Sequence, residues 1–309
     1  MKRTWKILIV TAALLLTACP LPTPKKPPPD GVPVKVLMRY KFPPGRVGKY
    51  RVDEQVIGKF DMSLIPGVQT LKASSSMIIS EKVAARPLSE GYASIERKID
   101  SLRLKVWFND KLTFDSTRFG EFSHRSEAEG FAKLQGKVIR FEMSELGTIR
   151  NIKGLGDLSF GRRPFQPSQM METGNPTFSE TKVALGDSWK TKREMPFEAE
   201  EKHSGIFEIE EVVTLSKLHR KEVRLLATLN LRREMSISLC DRESLRPLKG
   251  FEGEGVADGS FVFDVDRGMM LGGEVSTRLR VSTQVNTAPT RVATSMDLNS
   301  TTKFTLLEK

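Results

Sequence analysis

The chain has 309 residues, two cysteines and a formal charge of +11. About 275 residues follow a proline-rich stretch, enough for a full core and for two domains. The basic surplus suits a surface near anionic lipid, and the chain carries no nucleic-acid recognition motif, so no nucleic-acid partner is expected.

Lys2, Arg3 and Lys6 form a basic start, and the run from Ile7 to Ala18 carries no charge. A membrane helix takes about 20 apolar residues, so this run is too short to span. A basic start, a short apolar run and a small-residue exit describe a secretory signal over residues 1–18. The exit reads Leu16-Thr17-Ala18-Cys19. It resembles the lipobox of bacterial lipoproteins: a branched apolar residue, two small residues, then cysteine. The resemblance implies cleavage between Ala18 and Cys19 and lipid attachment to the Cys19 sulfur. It also implies a further acyl chain on the new amino group, and two or more chains make a stable anchor. Pro20 stands where inner-membrane lipoproteins of enterobacteria carry aspartate, which favours the outer membrane, facing the periplasm. The outer leaflet of the inner membrane and the cell surface are the alternative places.

Losing Lys2, Arg3 and Lys6 with the signal lowers the formal charge from +11 to +8. With Cys19 lipidated, Cys240 stands alone, so no intrachain disulfide forms, and a buried structural thiol is expected. Residues 19–33 are the lipidated cysteine and a tether of clustered prolines. Such a segment favours extended polyproline II at about 3.1 Å per residue, a semi-rigid spacer of roughly 40 Å.

The body alternates like strands. In 275–285, Val275, Thr277, Leu279, Val281, Thr283 and Val285 share one phase while Ser276, Arg278, Arg280, Ser282 and Gln284 take the other. A period of two marks a strand with one buried face. Val223, Leu225, Ala227, Leu229 and Leu231 repeat the pattern, and Phe207, Ile209, Val213 and Leu215 do so more loosely. Clean alternation predicts antiparallel sheet with one solvated face. Ser126 and Glu129 have capping-box spacing before Ala128, Phe131, Ala132 and Leu134, which predicts a short helix there.

A faint repeat divides the body into halves at 34–153 and 183–309, joined by a linker or long loop over 154–182. Gly45 precedes Tyr50 as Gly186 precedes Trp189. Phe141-Glu142 leads through a turn to Gly147 as Phe263-Asp264 leads to Gly268. The expected fold is mainly β, with curved antiparallel sheets, half-barrel or sandwich-like, in two weakly repeated halves with one or two short helices. This layout resembles two-repeat β-rich envelope lipoproteins of bacteria. It also looks like the half-barrel sheets of periplasmic lipoprotein carriers, which hold acyl chains on a concave apolar face.

Catalytic motifs are missing from the sequence. His124, His203 and His219 lie far apart, and no cluster has zinc-ligand spacing. No G-x-S-x-G or S-x-x-K motif appears, and the glycines of 154–161 fit neither a P-loop nor a dinucleotide fingerprint. Asp264, Asp266 and Gly268 resemble the start of a calcium loop but lack its later ligands, so a hairpin turn is expected. The charged stretch 194–203 is expected to be a solvated loop. Met269, Met270 and Leu271 mark the expected apolar groove, since methionine-rich surfaces adapt to varied apolar ligands.

The sequence therefore predicts a membrane-anchored envelope protein with no catalytic residues, metal or cofactor. Its expected role is to bind a lipid or another amphipathic ligand. The alternative is a protein-interaction or assembly scaffold in the envelope, and a hydrolase is the least favoured class.

Overall fold

The alternating stretches become long, paired strands in a computed structural model of the chain. The structure describes residues 32–62, 67–84, 91–118, 134–154, 175–200, 203–241, 251–287 and 290–307. Cys19 and its flanks, His124 and most of the predicted helix lie outside them, as do the side chains of His203 and Cys240. Leu134, the last residue of that helical pattern, stands in a turn, and no α-helix occurs among the described residues.

The first half holds β1 (Lys35–Val36), β2 (Val47–Met62), β3 (Gln69–Val83), β4 (Tyr92–Phe108), β5 (Lys111–Asp115), β6 (Val138–Ser144) and β7 (Ile149–Lys153). The second holds β8 (Val183–Ala184), β9 (Ser188–Glu200), β10 (His203–Lys221), β11 (Arg224–Asp241), β12 (Phe251–Asp264), β13 (Met269–Thr287) and β14 (Thr290–Leu306). At about 3.3 Å per residue, the 19-residue β10 runs roughly 60 Å. The charged stretch 194–203, expected as a loop, is largely strand: it ends β9 and opens β10.

All the long strands belong to one antiparallel sheet of 12 strands, curved and not closed. Its order is β7-β6-β4-β3-β2-β14-β13-β12-β11-β10-β9, with β5 pairing β4 beside it. The halves meet where the last strand pairs with the first long one, Phe304 of β14 opposite Val52 of β2. β1 and β8, which precede the two meanders, pair with each other in a separate two-stranded sheet.

The two glycine entries make the same pair of backbone bonds. Gly45 N–H donates to the Val83 carbonyl and Val83 N–H to that of Arg46. Gly186 N–H donates to Leu215 and Leu215 N–H to Asp187 in the second half. Counting rungs from these bonds, Val83 faces Ile95 and Leu215 faces Leu229. The next strands bring Phe141 beside Ile95 and Phe261 beside Leu229. The ladders thus match Phe141 to Phe261, two residues from the Phe141–Phe263 match that the sequence pattern suggests.

The core packs on one face, at the end of the sheet crossed by two irregular segments. Residues 36–42 bring Val36, Met38 and Tyr40, and residues 175–182 bring Phe178, all buried. The Tyr40 ring stacks on Phe178 at 4.7 Å and meets Phe263 edge-on at 5.5 Å, geometries that aromatic pairs prefer. The end of the expected linker is therefore part of the core. Tyr40 N–H donates to Glu145, Lys41 N–H to Gly268 and Phe178 N–H to Leu146, which ties both segments to the β6–β7 and β12–β13 turns.

Those two turns need their glycines twice over. Gly147 and Gly268 have φ of 95° and 63°, where a side chain is strained. A Cβ on Gly268 would also lie 2.5 Å from the Lys41 backbone nitrogen, and one on Gly147 2.8 Å from the Tyr40 ring. The aspartates expected to shape the second turn do so: Asp264 accepts from Arg267 N–H at 2.9 Å, and Asp266 from Leu225 N–H at 2.6 Å.

Candidate functional site

A cavity of about 330 Å³ lies on the face of the large sheet that carries the core, beside the packed end. Three neighbouring strands build its wall by register. Tyr50 of β2 faces Ile79 of β3, which faces Ile99 of β4. One rung on, Val52 lies between Met77 of β3 and Phe304 of β14. Tyr40 and Phe42 of the crossing segment, Met143 of β6, and Met269 and Met270 of β13 complete the apolar lining. Four of the lining residues are methionines, whose unbranched thioether chains adapt to varied apolar shapes. The volume lies in the range of small-molecule sites, which combine apolar walls with a few placed polar groups.

The polar groups are Arg46, the Tyr50 hydroxyl, Glu81, Arg97, Asn175 and Thr302. Arg97 donates to Glu81 at 2.8 Å and lies 5.0 Å from the Phe141 ring centroid, so it is held on two sides. Burial, with the Glu81 charge adding to it, pushes the Tyr50 hydroxyl well above its ordinary pKa, so it stays a neutral donor at any physiological pH. One rung above Val52, burial raises the Glu54 carboxyl despite hydrogen bonds from Thr302 and Ser75.

The second half also carries an inward ion pair, one rung further along than the position equivalent to Glu81 and Arg97. Arg233 of β11 donates to Glu211 of β10 at 2.7 Å, and both are buried. Here the chain covers the pair. Thr177 N–H donates to Glu211 at 3.1 Å, Arg193 donates to the Thr177 hydroxyl, and Trp189 Nε1 donates to the Thr177 carbonyl at 2.6 Å.

Of the expected groove residues, Met269 and Met270 are buried and line the cavity, while Leu271 is half-buried and does not. A β-bulge explains the difference: Phe263 pairs with Met270 and Val262 with Gly272, so Leu271 is the extra residue. Cys19 and Ala18 lie outside the described residues. Arg46, Met77, Glu81, Arg97 and Met143 are cavity residues that sequence reasoning missed. Glu81 and Arg97 did leave a signal. Each sits in the inward phase of an apolar alternation, between Ile79 and Val83 and between Ile95 and Ile99. Among the described residues no three potential metal ligands gather.

A larger hollow of about 1140 Å³ is lined mainly by solvent-facing residues of β9 to β14. Its charges answer one another: Arg280 meets Asp297 at 2.8 Å, Lys192 meets Glu208 at 3.5 Å, and Arg232 meets Asp258 at 3.9 Å. This is a wet ladder of exposed pairs, each of small energetic weight, and it leaves the apolar cavity as the candidate site.

The fold and site define a mainly β protein: one open, curved antiparallel sheet with a packed end and an apolar cavity beside it. No protein-family model matches the chain, and no curated protein does. Solved structures similar to it include lipovitellin, from a study of its lipid–protein interactions, at 12% identity and a TM-score of 0.43, over 87% of this chain and 26% of that one. The chain thus spans about a quarter of the lipovitellin chain's length. Pseudomonas aeruginosa OccK7 is similar at 9% identity and a TM-score of 0.19, over 85% of this chain and 99% of that one. A chain of the Pseudomonas aeruginosa MucA/MucB complex is similar at 10% identity and a TM-score of 0.15, over 80% of this chain and 88% of that one. Every one of these scores is under 0.5, and none carries an argument about function.

Proposed function

We propose that the protein is a non-enzymatic envelope lipoprotein, anchored through Cys19 to the outer membrane on its periplasmic side. Its body takes up a lipid or another amphipathic ligand. The observation that carries the binding role is the inner-face cavity of about 330 Å³, apolar and methionine-lined yet holding a few fixed polar groups. The anchor rests on the Leu16-Thr17-Ala18-Cys19 pattern behind a basic and apolar start. The prolines of 19–33 then act as a spacer between membrane and body.

Mass spectrometry of the full chain purified from its host's membranes tests both parts. Diacylglycerol is expected on Cys19, together with a second, extractable lipid. In Cys19→Ser the covalent lipid is expected to vanish with the precursor uncut, while the extractable lipid stays. Lipid labelling that survives Cys19→Ser would sink the anchor, and protein without extractable lipid would sink the binding role. A scaffold role draws on the outer edge of β9, 13 residues long and unpaired among the described strands. A lipid-free protein crosslinked to an envelope partner would favour that role.

A further inference from the structure

The two inward ion pairs differ in what answers their surplus charge. In the second half two guanidiniums, Arg193 and Arg233, attend one carboxylate, Glu211, which lies 3.9 Å from Arg193. The surplus is answered by the chain itself, through the hydroxyl of Thr177. In the first half two guanidiniums, Arg46 and Arg97, line the cavity with one carboxylate, Glu81. Glu81 is taken by Arg97 at 2.8 Å. Arg46 makes one long hydrogen bond, 3.5 Å to the Arg267 carbonyl, and among the described residues it has no carboxylate partner. The Tyr50 hydroxyl, kept neutral by burial, lines the same cavity as Arg46, Glu81 and Arg97.

The cavity thus offers a fork of donors with one uncompensated positive charge beside an apolar, methionine-rich wall. A planar guanidinium suits a carboxylate or a phosphate, which it can hold through two parallel charge-assisted hydrogen bonds. We propose that the ligand is a single-chain amphiphile with an anionic head, the head seated on Arg46 beside Tyr50 and the chain against Met77, Met143, Met269 and Phe304. This rests on the cavity being the binding site. A fatty acid and a phosphate-headed lipid share the required chemistry.

The full chain carrying Cys19→Ser, free of its own acyl chains, provides the test. Four probes of equal chain length, each below its micelle concentration, are titrated by displacement of a fluorescent fatty-chain probe. They are dodecanoate, dodecyl phosphate, dodecanol and dodecyltrimethylammonium. At least one anion is expected to bind about tenfold or more tighter than dodecanol, as one charged hydrogen-bonded contact allows. The tighter of the two anions names the source, carboxylate or phosphate. Arg46→Gln is expected to abolish that preference, and Arg46→Lys to retain most of it. Equal binding of all four probes, or a preference that survives Arg46→Gln, overturns the anionic head and leaves the cavity reading standing. Failure of all four to bind overturns the cavity reading and this inference with it.

Discussion

Glu211→Ala is expected to destabilise the body by about 3–5 kcal/mol, the usual cost of breaking a buried ion pair. Glu211 and Arg233 are 2% and 7% exposed, and their contact is 2.7 Å. Removing the carboxylate leaves the buried Arg233 without its counter-charge. Arg233 already has one buried nitrogen, Nη2, with no hydrogen-bond partner among the described residues. For a body of this length the loss corresponds to roughly 10 °C in Tm. The same principle makes a second prediction at the pair. Replacing both partners, Glu211→Leu with Arg233→Leu, removes the stranded charge and is expected to restore most of the stability. Thermal and urea unfolding of the three proteins checks this. A single variant within about 1 kcal/mol of the parent would mean that the pair is open to solvent.

Val52→Trp is expected to lower amphiphile binding by about a hundredfold or more while leaving the fold in place. Val52 lies on the cavity wall between Met77 and Phe304, so a larger ring at that position extends into the space a chain would fill. Overpacking a filled core costs about 1–3 kcal/mol, and a cavity softens that cost. Val52→Leu, which fills less, is expected to fall between the two. Far-ultraviolet circular dichroism and Tm separate a blocked site from a damaged fold. Retained binding in a folded Val52→Trp protein would place the ligand elsewhere on the sheet.

Much of this architecture is written locally. Alternation placed Leu279 and Val281 on the inner phase and Arg278 and Arg280 on the outer one, and the β12–β13 ladder keeps both assignments. Phe207, Ile209, Val213 and Leu215 likewise share the core side of β10. Val223 broke from its run because it falls in the β10–β11 turn, where it is 84% exposed. Gly147 and Gly268 were visible as turn glycines, but the reason for both is non-local: a segment more than a hundred residues away lies against them. The core role of Phe178 was hidden for the same cause, since no pattern within 154–182 announces a partner at Tyr40. The site was half legible. Met269 and Met270 stood out as a dipeptide, whereas Leu271 was displaced by a bulge that only the pairing with β12 reveals. Arg97 and Glu81 were marked by charge in an apolar phase, a signal that means an interior ion pair and does not by itself mean a cavity.

An amphiphile is expected to occupy the space bounded by Met77, Met143, Met269 and Met270. Methyl-resolved NMR of the full chain, with its twelve methionines labelled, reads those four residues directly. Titration with dodecanoate is predicted to move these four methyl resonances together and to saturate. Binding of dodecanoate with all four resonances unmoved would contradict it.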